Sequence, residues 1–148
     1  MNQVLQIAEN RVLWAGILAW FIAQILKVIL TLIFQKHFDS SRFWGAGGMP
    51  SSHSALMCAV ATTVGFQCGF DSALFAMAIC FALVVMYDAA GVRRAAGKQA
   101  AVLNRLVDEI IYEGQSLNEE RLKELIGHTP IQVVAGALLG IMVGIIIG

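Results

Sequence analysis

Charge is what this sequence has least of. Asp, Glu, Lys and Arg make up 14% of its 148 residues, against about 25% in a typical soluble domain. Hydrophobic residues make up 58%, and mean hydropathy is +0.73. So thin a charged layer excludes an ordinary globular surface and points to a chain solvated by lipid. A surplus of either sign is also missing, since 10 basic residues balance 10 acidic ones. That excludes an electrostatic nucleic-acid binder, which needs excess Lys and Arg to neutralise phosphates. Cysteine is sparse: Cys58, Cys68 and Cys80 lie in apolar stretches at no metal-ligand spacing. Such thiols read as core filling rather than as a disulfide framework. The opening MNQVLQIAEN has no basic n-region, and the apolar run after it is too long for an h-region, so no cleavable leader is expected. There is no internal repeat or low-complexity tract.

What the sequence does have is apolar runs. Residues 12–34 are apolar except for Gln24, Lys27 and Thr31, a length that suits one crossing of a ~30 Å hydrocarbon core. Residues 54–70 and 72–87 are two shorter uncharged runs, which would form a tight helical hairpin turning at Gly69, Phe70 and Asp71. The run 131–148 begins just after Pro130, which suits a first helical turn. Between the third and fourth runs, Val102, Leu103, Leu106, Val107, Ile110 and Ile111 recur at helical spacing, with Asn104, Arg105, Asp108 and Glu109 opposite. A second short helix is expected from Asn118, a cap, to Gly127, a stop. The expectation is an all-α integral membrane helical bundle of about four spans, forming one domain over 1–148, with one or two amphipathic interfacial helices. A solvated connector would show the same amphipathic pattern.

Basic residues in short loops set orientation. With the N-terminus outside, the polar segments 35–53 and 88–129 share the cytoplasmic side of the cell membrane. They hold Lys36, Arg42, Arg93, Arg94, Lys98, Arg105, Arg121 and Lys123, and the opposite side holds Arg11.

Three clusters in those segments carry candidate chemistry. Gly47-Gly48-Met49-Pro50-Ser51-Ser52-His53-Ser54 stands at the mouth of the second run. Glycines allow close backbone approach, the hydroxyls add donors, and the following helix aims its positive end at the same place. That makes an anion site, and His53 adds a group that shuttles protons near neutral pH. A Pro-Ser cap that merely starts a helix uses the same residues. Gly127-His128-Thr129-Pro130-Ile131-Gln132 places another histidine at the mouth of the last run, on the same face of the membrane. Tyr87-Asp88-Ala89-Ala90-Gly91-Val92-Arg93-Arg94 closes the third. Paired arginines suit phosphate oxygens and equally suit anchors on the inside of a membrane. Asp88 is a brace for an arginine or histidine, or a polar stop. Lys27 sits inside the first run, where an ionisable group usually faces the bundle interior, with Gln24 one turn earlier as a neighbour; snorkelling to the interface is the other reading.

Together the blocks GGMPSSHSA at 47–55, YDAAGVRRAAGKQA at 87–100 and GHTPIQVVAGALLG at 127–140 resemble the phosphatidic acid phosphatase type 2 and vanadium haloperoxidase superfamily, and more closely its divergent bacterial branch. The superfamily motif Pro-Ser-Gly-His is matched by Pro50-Ser51-Ser52-His53 at three of four positions. The resemblance implies that Ser51 and the Ser52 backbone bind phosphate, that His53 is the general acid and that His128 is the nucleophile. Gln132 occupies the place of the aspartate that orients the nucleophile, and Leu122 the place of an arginine. Asp88 and Gln132 are then supporting residues. Arg93 or Arg94 would supply the guanidinium, and Lys27 would correspond to the lysine of the first motif, with Arg42 a displaced partner.

The implied activity is that of a phosphatase-like hydrolase, releasing phosphate from a lipid phosphate monoester through a phosphohistidine, with no metal or cofactor. A protein that only binds or moves phospholipid headgroups is the alternative, favoured by the neutral Gln132 and the missing arginine spacing, and a structural membrane subunit is a third. Partners are membrane lipids and no nucleic acid. Gly136, Gly140, Gly144 and Gly148 recur every fourth residue, a spacing that lets helices approach closely within a chain or between two copies, so a homodimer is also an expectation.

Overall fold

A computed structural model describes residues 2–35, 48–112 and 127–148. The described residues form helices without strands: α1 (Gln3–Ala8), α2 (Arg11–Gln35), α3 (Ser52–Cys68), α4 (Ala73–Ala90), α5 (Val92–Tyr112) and α6 (Pro130–Ile147). The short helix expected near Asn118 falls outside the described residues.

Among the described residues, three stretches are long and apolar enough to cross a membrane: Arg11–Ile33 in α2, Ala73–Val107 beginning with α4, and Pro130–Ile147 in α6. The remaining helix of the bundle, α3, is uncharged and 17 residues long, at the lower limit of about 17 for a span. It is also the centre of the bundle, packing against α2, α4 and α6.

Packing in this bundle inverts the soluble pattern. On α2 the buried residues Ala15, Ala19, Ala23 and Lys27 recur every fourth position, whereas Ile17, Phe21, Ile25, Ile29 and Leu32 are exposed. The largest fully buried side chains are Lys27, Thr63, Ser51 and Ser54, with no large apolar residue among them. In lipid there is no gain from hiding leucines, so close approach of small residues holds the helices together while the bulky apolar ones face the acyl chains.

The glycine stripe of α6 shows this most clearly. A Cβ on Gly136 would collide with the Ser51 carbonyl, and one on Gly140 with the Ala55 carbonyl. One on Gly144 would lie 2.6 Å from Thr62. The contacts advance together along both helices, so α3 and α6 run parallel and start at the same end. The stripe is therefore used inside the chain, and it no longer argues for a homodimer.

Local signals terminate the elements. Asn10 Oδ1 accepts the Leu13 N–H at 3.0 Å and caps α2. Between α3 and α4 the chain turns at Gly69 (φ 92°), a left-handed position that favours glycine. Ser72 caps α4: its hydroxyl accepts the Phe75 N–H at 3.1 Å and donates to the Gly69 carbonyl at 2.7 Å. This tight hairpin makes α4 antiparallel to α3. Helix α2 is also antiparallel to α3, because Arg11 and Val12 at its start share a cleft with Gln67 and Cys68 at the end of α3. Helix α5 follows α4 after Gly91 and packs mainly on α4, leaving Val102, Leu103 and Leu106 exposed.

Candidate functional site

Because α3 and α6 are parallel, their N-termini lie side by side, and two main-chain hydrogen bonds join the three sequence clusters there. Ser51 N–H donates to the Gln132 carbonyl at 3.0 Å, and His128 N–H donates to the Ala89 carbonyl at 3.1 Å. The first bond ties the loop before α3 to the first turn of α6. The second ties the segment before α6 to the end of α4. The blocks 47–55, 87–100 and 127–140, far apart in sequence, thus meet at one end of the bundle.

Ser51 is the N-cap of α3, with no exposed surface. Its Oγ accepts from the Ser54 amide at 3.4 Å and from the Ser54 hydroxyl at 3.0 Å. Ser52 opens the helix and is buried, and His53, next along, is half-buried. Ser51 is thus a helix cap, the plainer of the two readings of this cluster. His128 is 3% exposed, just ahead of α6. The first turns of α3 and α6 together present amides and two positive dipole ends to one region, the electrostatics an anion requires.

Lys27 adds a cation. It is 1% exposed, so it does not snorkel, and its Nζ donates to Gln24 Oε1 at 2.7 Å. Gly16 faces Leu56 and Val60 of α3. From that crossing Lys27 lies ~16 Å along α2 and Ser51 ~10 Å along α3 in the same direction. Helical side chains lean toward their own N-terminus, which carries the ammonium back toward the level of Ser51.

The supporting residues are placed differently. Asp88 is half-buried in the last turn of α4, and Arg94 is exposed on α5. Arg42 and the side chain of Arg93 lie outside the described residues. Gln132, expected to stand where a carboxylate orients the nucleophile, has another role. Its Oε1 accepts the Thr129 N–H at 3.0 Å while the Thr129 hydroxyl accepts the Gln132 N–H at 3.4 Å, a capping box that starts α6. Gln132 makes no hydrogen bond to the buried Nδ1 of His128.

The sequence reading missed Thr129, although Thr129-Pro130-Ile131-Gln132 carries the S/T-x-x-E/Q signature of that cap. It also missed the Ala89 carbonyl, which no side-chain pattern could reveal.

The profile of the Divergent PAP2 family matches residues 8–143, a span that contains all three clusters. The uncharacterized membrane protein YuiD of Bacillus subtilis (strain 168) is 39% identical over 153 residues, covering 97% of each chain. No solved structure matches. The chain is a phosphatase-related membrane protein and belongs to the divergent PAP2 family.

Proposed function

We propose that this protein hydrolyses a lipid phosphate monoester, with His128 as nucleophile and His53 as general acid and base. The observation that carries the reading is the pair of main-chain bonds, Ser51 to Gln132 and His128 to Ala89, which bring both histidines' segments to two adjacent helix N-termini. The apolar exteriors of α2, α4 and α6 support a substrate drawn from the membrane.

The steps follow from the residues. His128 attacks phosphorus, and the P–O bond to the lipid breaks as His53 gives the leaving alkoxide a proton. Water then attacks the phosphohistidine while His53 takes its proton, which frees His128 and releases phosphate. Lys27 and the first-turn amides of α3 offset charge on the equatorial oxygens, which is worth most in a site shielded from water. With Arg94 exposed, Lys27 is the first cation this reading relies on; Arg42 and Arg93 are the others.

One observation favours a second reading, in which the site binds a phospholipid headgroup without turnover. Gln132 is committed to the α6 cap and supplies His128 with neither charge nor a hydrogen bond at Nδ1, whereas an orienting carboxylate normally stabilises the imidazolium. Phosphate release from phosphatidate and polyprenyl phosphate by the purified protein, beside His128→Ala and His53→Ala, separates the two. Release that both substitutions abolish supports the enzyme. Headgroup binding without release supports the second reading.

The polar end of the bundle is proposed to face the cytoplasm, on the strength of its basic residues. The exposed apolar residues of α5 beside Arg94, Lys98 and Arg105 fit a helix lying at that membrane surface.

A further inference from the structure

A cavity of ≈ 440 Å³ opens between α3, α4 and α6. Its walls are apolar, and several of them, including Leu83, Ile141 and Ile145, are exposed at its rim, so it opens sideways rather than toward either end. Along α4 it extends from Met86 to Phe75, a rise of ~16 Å, close to half of a ~30 Å hydrocarbon core.

Each wall leads up to the site. Ala137 follows Gly136, whose backbone lies against the Ser51 carbonyl. Cys58 is one turn below Ser54, which bonds Ser51 through its hydroxyl. Met86 is one turn before Ala89, whose carbonyl holds His128. The far end is closed by three rings. Phe70 packs edge-on against Phe66 at 5.3 Å and against Phe75 at 5.1 Å. Gly65 leaves the space that Phe70 fills.

We infer that this groove holds one hydrocarbon chain of the lipid whose phosphate occupies the Ser51–His128 site, and that Phe66, Phe70 and Phe75 set the chain length it accepts. Continuity with the site and a length of about one leaflet identify the occupant. The inference deepens the lipid-phosphate reading of the site and rests on it for the position of the headgroup.

The test is binding of a series of straight-chain monoalkyl phosphates of increasing length to the full chain in detergent, read by calorimetry. In the unmodified protein, affinity rises by about fourfold per methylene and then levels off when the chain meets the rings. Phe70→Ala moves the plateau to longer chains. Ile141→Trp, a substitution at the partly exposed rim, removes most of the rise while short-chain affinity stays, which also shows that the variant is folded. An increase without a plateau, identical in all three proteins, is partition into the micelle and overturns the groove. Phosphate release separates the two claims. A plateau without release in any member of the series overturns the phosphatase reading and leaves the groove. Release with a plateau-free, variant-independent series does the reverse.

Discussion

The Ser51 carbonyl stands where Gly136 would carry a side chain. This contact sets the distance between α3 and α6, and through it the position of both helix N-termini, with His53 in the first turn of α3. Site and scaffold are therefore the same interface.

Gly136→Ala and Gly140→Ala each force a methyl into a backbone carbonyl, which cannot rotate away. Thermal unfolding in detergent is expected to show a loss of about 1–3 kcal/mol or more for each. Gly148→Ala, opposed partly by the movable Phe66 ring, is expected to cost less.

Gln132 is predicted to act through helix capping. Gln132→Ala should lower stability by about 0.5–2 kcal/mol, and Thr129→Ala by a similar amount. Gln132→Glu should keep the box and the stability, because a glutamate oxygen accepts the Thr129 N–H equally well. A Gln132→Ala protein as stable as the parent would show that the cap contributes nothing.

Lys27→Met separates binding from folding. Removing the buried cation relieves its desolvation cost while the buried Gln24 Oε1 loses a donor, so the unfolding midpoint is expected to move little. Turnover of lipid phosphate should fall by on the order of a hundredfold, as when one transition-state donor is lost. Full activity in Lys27→Met would remove this residue from the site.

Orientation is checked with membrane-impermeant thiol labelling in whole cells, each protein carrying a single cysteine. With Lys98→Cys as that cysteine, labelling is expected only after the membrane is opened. Cys68, exposed at the other end of the bundle, should label from outside. The opposite pattern would invert the topology.

How much was legible in the sequence depended on whether a residue acts through its side chain or its backbone. Apolar runs of span length located α2, α4 and α6, and Gly69 with Asp71 located the hairpin, because hydrophobic length and turn chemistry are local. Lys27 was readable as interior from its cost in lipid alone. The clusters at Ser51 and His128 were readable as parts of one site through the family resemblance, but the main-chain bonds to Gln132 and Ala89 that join them were not. The glycine stripe announced a close helix contact without saying with what, and the structure assigns it to α3. Gln132 was read through a family motif as a weakened orienting residue, while its nearer partner Thr129 already spelled a capping box.

His128 and His53 are proposed to serve one phosphate at the joined ends of α3 and α6. The most direct measurement is rapid acid-free quenching of the purified protein with a radiolabelled lipid phosphate, followed by mapping of alkali-stable phosphate on the chain. Label is expected on His128, with none in His128→Ala and slowed loss of label in His53→Ala. Phosphate release with label on no histidine, or label that persists in His128→Ala, would contradict it.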